Sequence, residues 1–325
     1  MTGWPLRAVA IAIALAACGC ASTTPRLTEL VPERAPARVE LTDVPFFPQR
    51  DYQCGPAALA TVLTASGRAV TPDELVPAVY VPERRGSFAV ELVAAARSHQ
   101  RLPYTIAPAL DDAIAQLAAG HPVLILQNVG LRSWPLWHFA VLVGYDAATN
   151  QVVLRSGTTE REVIGARRFD RFWKRADRWG MVVLEPGGLP AAPEITRYMS
   201  GAAGLEAVGH LDAARASYGR ARDQWPDSAW PWLGLANLSH GSGDLERAQS
   251  EYVEALARDP SNVAARNNLA ETLEARGCVE RARVEIERAR ELAQGTALEA
   301  RVVETAAHLA SVPAPVSAAD DCRLP

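Results

Sequence analysis

The 325-residue sequence predicts an α+β domain followed by an all-α solenoid, carried behind an apolar N-terminus. Three observations predict this architecture. Between residues 44 and 186, segments with helical spacing come first and four short apolar runs come after, the order expected of helices followed by antiparallel strands. A proline- and glycine-rich stretch at 187–193 then reads as a linker. Beyond it residue types recur 34 positions apart: Pro226 and Pro260 are preceded at equal offsets by Ala214, Tyr218, Ala221 and by Ala248, Tyr252, Ala255. With 49% hydrophobic residues the chain can bury two substantial cores.

At the N-terminus, Arg7 precedes an apolar run, 8–17, too short to span a bilayer as a mature helix and shaped like a signal-peptide core. Leu15-Ala16-Ala17-Cys18 resembles a bacterial lipobox, whose cysteine is lipidated, and Gly19 in place of Asp resembles lipoproteins passed to the outer membrane. The resemblance implies a signal peptide and lipobox over 1–20, lipidation at Cys18, and an outer-membrane lipoprotein facing the periplasm. A plain secretory signal is the alternative. Residues 21–43, proline-rich and of mixed charge, read as a flexible tether.

The domain expected over 44–186 opens on QRDYQCGPAALATVL, Gln49 to Leu63. Gly55 and Pro56 suit a first helical turn, and Ala58, Leu59, Val62 and Leu63 follow helical spacing. Cys54 then sits at the positive end of a helix, where unpaired N–H groups favour thiolate. Further helices are expected at Pro72–Val79, 87–99 and 110–119, strands at Val123–Asn128, 139–145, 152–156 and 181–185, and a short helix near 169–175. His138 opens the second strand. The preceding loop carries Trp134 and Trp137, which either line a cleft or pack beneath the sheet.

Gln-x4-Cys-Gly-Pro-Ala-Ala-Leu and the later His-Phe-Ala-Val-x-Val-Gly-Tyr-Asp resemble the papain-like cysteine peptidases of family thirty-nine, known for cutting double-glycine leaders from bacteriocin precursors. The resemblance covers roughly 44–186 and implies a papain-like α+β fold. It implies that Cys54 is the nucleophile, His138 its general base and Gln49 an oxyanion-hole donor, although Gln49 lies five residues before Cys54 where six is usual. The residue that orients the histidine should be Asp or Asn; Ser156 stands there, so its hydroxyl or a nearby backbone carbonyl takes the role. The helix mouth and the imidazole are expected to draw the Cys54 pKa toward neutrality.

Over 194–296 the 34-residue recurrence continues in Ala282, Ile286 and Ala289, with Tyr198 and Trp232 at a shared large-residue position and Gly209, Gly243 and Gly277 at the turns. The pattern resembles three tetratricopeptide repeats, and residues 297–325 are expected to form a capping helix and tail. Such a module implies a groove for a peptide or protein partner, or else a passive spacer. It is expected to fold separately from about Glu194. Cys278 and Cys322 are expected to form a disulfide in an exported chain, free thiols being the alternative.

A net charge of −4, with 33 basic and 37 acidic residues dispersed, shows no stripe suited to nucleic acid. No metal-ligand spacing and no phosphate-binding loop point to a cofactor. The functional expectation is a membrane-anchored periplasmic thiol peptidase with a partner-binding module. A catalytically degenerate adaptor on the same fold and a transamidase using the same thioester are the alternatives.

Overall fold

The computed structural model describes residues 25–49, 52–313 and 322. The signal segment, Cys18 and the start of the expected tether lie outside them. Among the described residues the chain forms, in order, α1 (Leu27–Leu30), β1 (Arg38–Glu40), α2 (Cys54–Ala65), α3 (Pro72–Val79), a 3-10 turn (Pro82–Arg84), α4 (Ala89–Ser98), β2 (Leu102–Thr105), α5 (Leu110–Ala118), β3 (Val123–Asn128), β4 (Trp137–Asp146), β5 (Gln151–Ser156), β6 (Thr159–Gly165), α6 (Ala166–Lys174) and β7 (Gly180–Leu184). Seven helices follow: α7 (Ile195–Ala207), α8 (Leu211–Gln224), α9 (Ala229–Gly241), α10 (Leu245–Arg258), α11 (Val263–Ala275), α12 (Val279–Ala293) and α13 (Glu299–Ser311).

The strands make one antiparallel sheet in the order β2-β7-β3-β4-β5-β6, with β1 added beside β4. Its centre is covered on both sides, which is why β4 reads as an unbroken apolar run rather than an alternating one. Phe139, Val141 and Val143 pack with Leu59, Val62, Leu63 and Leu92 of α2 and α4, while Ala140 and Leu142 pack with Ile114, Leu117, Phe169 and Trp173 of α5 and α6. The β4–β5 pairing shifts register between Leu142 and Gly144, and β1 pairs with β4 from Gly144 to Asp146. Glycine is required there, because a Cβ on Gly144 would lie 2.6 Å from the Val39 carbonyl.

Three strands were not legible as strands. β1 has three residues, β2 contains Pro103 and lies at the sheet edge, where a missing N–H is tolerated, and β6 is a mostly exposed, charged edge strand.

The expected tether is not free from residue 25 onward. Leu27 is fully buried in the core beneath α5, the Tyr145 hydroxyl donates to the Pro36 carbonyl at 2.7 Å, and the Ala147 N–H donates to the Ala37 carbonyl at 2.9 Å. An apolar side chain without solvent access holds the segment down, where proline content alone suggested a loose spacer.

The helices α7 to α12 form three antiparallel pairs and α13 closes the stack. The recurrence has a packing cause: Ala214, Ala248 and Ala282 are fully buried at equivalent places, as are Ala221, Ala255 and Ala289. Gly209, Gly243 and Gly277 share φ values of 80°, 80° and 79°, the left-handed turn that ends the first helix of each pair.

The segment 187–193 is pinned rather than loose. The Ala191 N–H donates to Gln116 Oε1 at 3.0 Å, and the Tyr104 hydroxyl donates to the Ala192 carbonyl while accepting from the Glu194 N–H, both at 3.1 Å. Helix α7 then lies on β2, with Tyr198, Ala202 and Leu205 buried in the same core as Tyr104 and Ile114. Small residues permit this approach, since a Cβ on Gly201 would lie 3.0 Å from the Pro103 carbonyl. The expectation of a separately folding repeat module is therefore corrected: its first pair shares a core with the sheet. Composition marked 187–193 as breakers but carried no sign of the contacts that fix it.

Cys278 and Cys322 form a disulfide across 44 positions, holding the tail on the last repeat. Closing a loop of this size contributes about 4 kcal/mol in the chain-entropy account. Reduction is expected to lower the melting temperature, as read by calorimetry with and without a phosphine reductant. An unchanged transition would contradict this.

Candidate active site

Cys54 is the first residue of α2 and its N-cap, Gln53, makes no side-chain cap. The N–H groups of Cys54 and Gly55 are instead directed at the Cys54 sulfur. The residue after it must be glycine: a Cβ on Gly55 would stand 2.3 Å from Ser87 Oγ. Pro56 fits at the start of the helix because its missing N–H has no intrahelical acceptor there.

The mouth of α2 abuts the opening of β4 and the end of β5. A cleft there is lined by Gln49, Cys54 and Ser156, together with Phe46, Phe47, Phe139 and Gly157. His138 stands beside it, with Nε2 3.0 Å from Ser156 Oγ. The backbone N–H of Phe139, the residue after His138, is directed at the Cys54 sulfur. The Gln49 N–H donates to the Gly157 carbonyl at 2.9 Å, which holds the segment before the helix against the end of β5. The fold thus collects all four residues singled out in the sequence, and no hydrogen bond joins Cys54 to His138 among those of the described residues.

Burial sets the protonation states. It pushes the Cys54 thiol above the ordinary thiol range, only partly offset by the N–H groups of Phe139 and Gly55. It also lowers His138, against the opposing pull of the Glu162 carboxylate. Both partners are neutral at pH 7. This corrects the expectation that the helix mouth draws the thiol pKa down: removal of the sulfur from water outweighs the N–H groups pointing at it. A raised folded pKa contributes stability below the ordinary thiol pKa, which is lost as pH rises through the folded value. Iodoacetamide is accordingly expected to label Cys54 at pH 7 more slowly than it labels the same cysteine in unfolded protein. Faster labelling of the folded chain would contradict this.

Two site residues escaped sequence reasoning. Arg155 is buried on β5, donating to the Val44 carbonyl at 3.3–3.4 Å and to the Glu160 carbonyl at 2.7 Å, so it ties the entering chain and the β5–β6 turn to the cleft. Gln127 lies directly across β3 from His138, buried, with its Nε2 unpartnered. An arginine inside an apolar strand was the available signal for the first; for the second, only the strand register reveals it. Among the described residues no group of three or more His, Cys, Asp or Glu is placed to hold a metal ion.

Comparison with known proteins identifies two domains in the chain. Residues 41–181 match the model of the Peptidase_C39 like family, and residues 239–302 match a tetratricopeptide repeat model. No curated protein matches the chain. Among solved structures, one described as a C39-like peptidase from Bacillus anthracis is 17% identical, with 46% of this chain and 98% of that one covered and a TM-score of 0.39. The Yersinia enterocolitica type III secretion chaperone SycD, in complex with a peptide of the translocator YopD, is 18% identical over 36% of this chain and 92% of that one, with a TM-score of 0.34. The TPR2B domain of yeast Sti1 is 13% identical over 36% of this chain and 95% of that one, also at 0.34. At these scores the structural likenesses carry no further weight. The two family matches, in the order in which the helix-and-sheet unit and the helical stack lie, find a Peptidase_C39-like domain over residues 41–181 followed by tetratricopeptide repeats over 239–302.

Proposed function

We propose that the chain is a thiol peptidase acting through Cys54 and His138, and that its repeats hold a peptide or protein partner. The reading is supported by a helix start bearing Cys54, without a side-chain cap, in one cleft with Ser156, to which His138 is hydrogen-bonded through Nε2. With Nε2–H donating to Ser156 Oγ, Nδ1 is the nitrogen left to act as base. As the sulfur attacks the scissile carbonyl an S–C bond forms, the thiol proton passes to Nδ1, and the carbonyl electrons move to oxygen. The Cys54 N–H and the Gln49 carboxamide N–H receive that oxyanion. Collapse breaks the C–N bond, His138 returns the proton to the leaving amine, and water hydrolyses the thioester. Gln49 lines the cleft, and its Oε1 is buried without a partner, so the carboxamide is not tied up by the fold on that atom.

Neutral partners make this general-base catalysis rather than reaction from a preformed ion pair. Activity should therefore persist below the ordinary histidine pKa and fall where the depressed His138 pKa is reached. Ser156→Ala removes one neutral hydrogen bond and is expected to lower kcat by about tenfold. A steady-state assay on a fluorogenic peptide reads this directly, and a loss as large as that of His138→Ala would mean Ser156 does more than orient the ring.

The adaptor reading has its own observation. Cys54 is desolvated and not hydrogen-bonded to His138, which is also what a cleft that binds peptide without cutting it would show. A chain that captures peptides but never turns them over would establish it.

Anchoring at Cys18 and a periplasm-facing place on the outer membrane belong to the same proposal, supported by the lipobox-like run before Cys18. Cys18→Ser should leave the precursor uncleaved or the protein unanchored. A mature N-terminus mapped elsewhere by mass spectrometry would sink it.

A further inference from the structure

The loop between β3 and β4 and the first residue of β4 carry four large apolar side chains into solvent: Leu131, Trp134, Leu136 and Trp137 are 65%, 81%, 62% and 53% exposed. This exposure is built in. The buried Asn128 side chain accepts from the N–H groups of Gly130 and Leu136 at 3.0 Å each, Leu131 and Trp134 exchange backbone hydrogen bonds at 3.1 and 3.2 Å, and Arg175 Nη1 donates to the Gly130 carbonyl at 2.5 Å. A contiguous apolar projection held this firmly marks a contact surface rather than a loose loop.

Its surroundings name the partner. In a chain of net charge −4, the stretch 166–178 carries six basic residues and two acidic ones, Asp170 and Asp177, and Asp170 is buried against Arg178. Arg168 and Arg175 lie over the Phe172 ring at 5.5 and 5.8 Å from its centroid, and Arg175 reaches the loop itself. Arg171 is one turn from Arg175 on the same side, and Arg132 sits in the loop. Tryptophan and leucine at a projecting tip, with guanidinium groups at its base, match the layering of a bilayer surface, acyl chains beyond and anionic headgroups nearer. We infer that this loop and the basic side of α6 dock on an anionic lipid bilayer, seating the cleft beside His138 at the membrane surface. The inference depends neither on Cys18 lipidation nor on catalysis at Cys54.

The test uses the full chain, transferred from detergent into phosphatidylcholine vesicles with and without phosphatidylglycerol, their acyl chains brominated to quench tryptophan. The expected result is stronger quenching with phosphatidylglycerol, most of the increment lost in Trp134→Phe, the other tryptophans being common to both proteins. Arg168→Glu with Arg171→Glu should remove the phosphatidylglycerol dependence, each lost cation weakening association about fivefold. Equal quenching in the wild type and Trp134→Phe, or no response to phosphatidylglycerol, would overturn the inference. So would protection of Trp134 by a bound peptide without lipid quenching, which would assign the aromatic tip to polypeptide.

Discussion

Replacing His138 with alanine is expected to lower peptide turnover by on the order of 10⁴-fold while leaving the fold and the melting temperature nearly unchanged. In the proposed mechanism the imidazole takes the Cys54 proton, and the thiol, pushed up by burial, supplies little thiolate by itself at pH 7. Cys54→Ser should cost at least as much, because a hydroxyl is a far weaker nucleophile for the same base. The two losses should not add, since both remove the same step. Circular dichroism must accompany the assay: His138 lies on β4 with most of its neighbours along the strand buried, and lost structure would mimic lost chemistry. If the His138→Ala protein retains wild-type kcat, the histidine is a packing residue and not the base; the adaptor reading would stand only if neither protein turned peptide over.

Tyr198→Ala is expected to be the most damaging substitution outside the cleft, at about 3–5 kcal/mol. The ring is fully buried where α7 meets Tyr104 of β2 and Ile114 of α5, and packs on Trp225 with centroids 5.6 Å apart. Because the core is continuous there, the loss should appear in one cooperative transition covering sheet and first repeat. The corresponding limited-proteolysis result is resistance at 187–193, where Ala191, Ala192 and Glu194 are hydrogen-bonded to the α+β unit. Two separately melting units, or two stable fragments cut in that segment, would contradict the shared core.

Much of this was legible in the chain because single physical signals dominated. Helical spacing behind Cys54, the doubly buried β4 and the 34-residue alternation of small and large residues each leave an unmistakable apolar pattern, and all three stand where expected. The contact of His138 with Ser156 was legible too, as a matter of hairpin register. What escaped was set by tertiary context. The thiol pKa turned on how deeply the sulfur is desolvated, which no local pattern reports. Leu27 in a proline-rich stretch and the glycines and alanines of α7 look like spacer and repeat residues until the surfaces they meet are known. Trp134 and Trp137 were equally compatible with burial; only the clamp of Asn128 and Arg175 on their loop decides for exposure.

The central claim, that Cys54 is a nucleophile worked by His138, is tested most directly by a peptide carrying an electrophilic warhead, with the adduct located by mass spectrometry. One adduct is expected, at Cys54, formed at a rate that tracks deprotonation of His138 and falls by orders of magnitude in His138→Ala. No adduct at Cys54, or one formed equally fast without the imidazole, would contradict it.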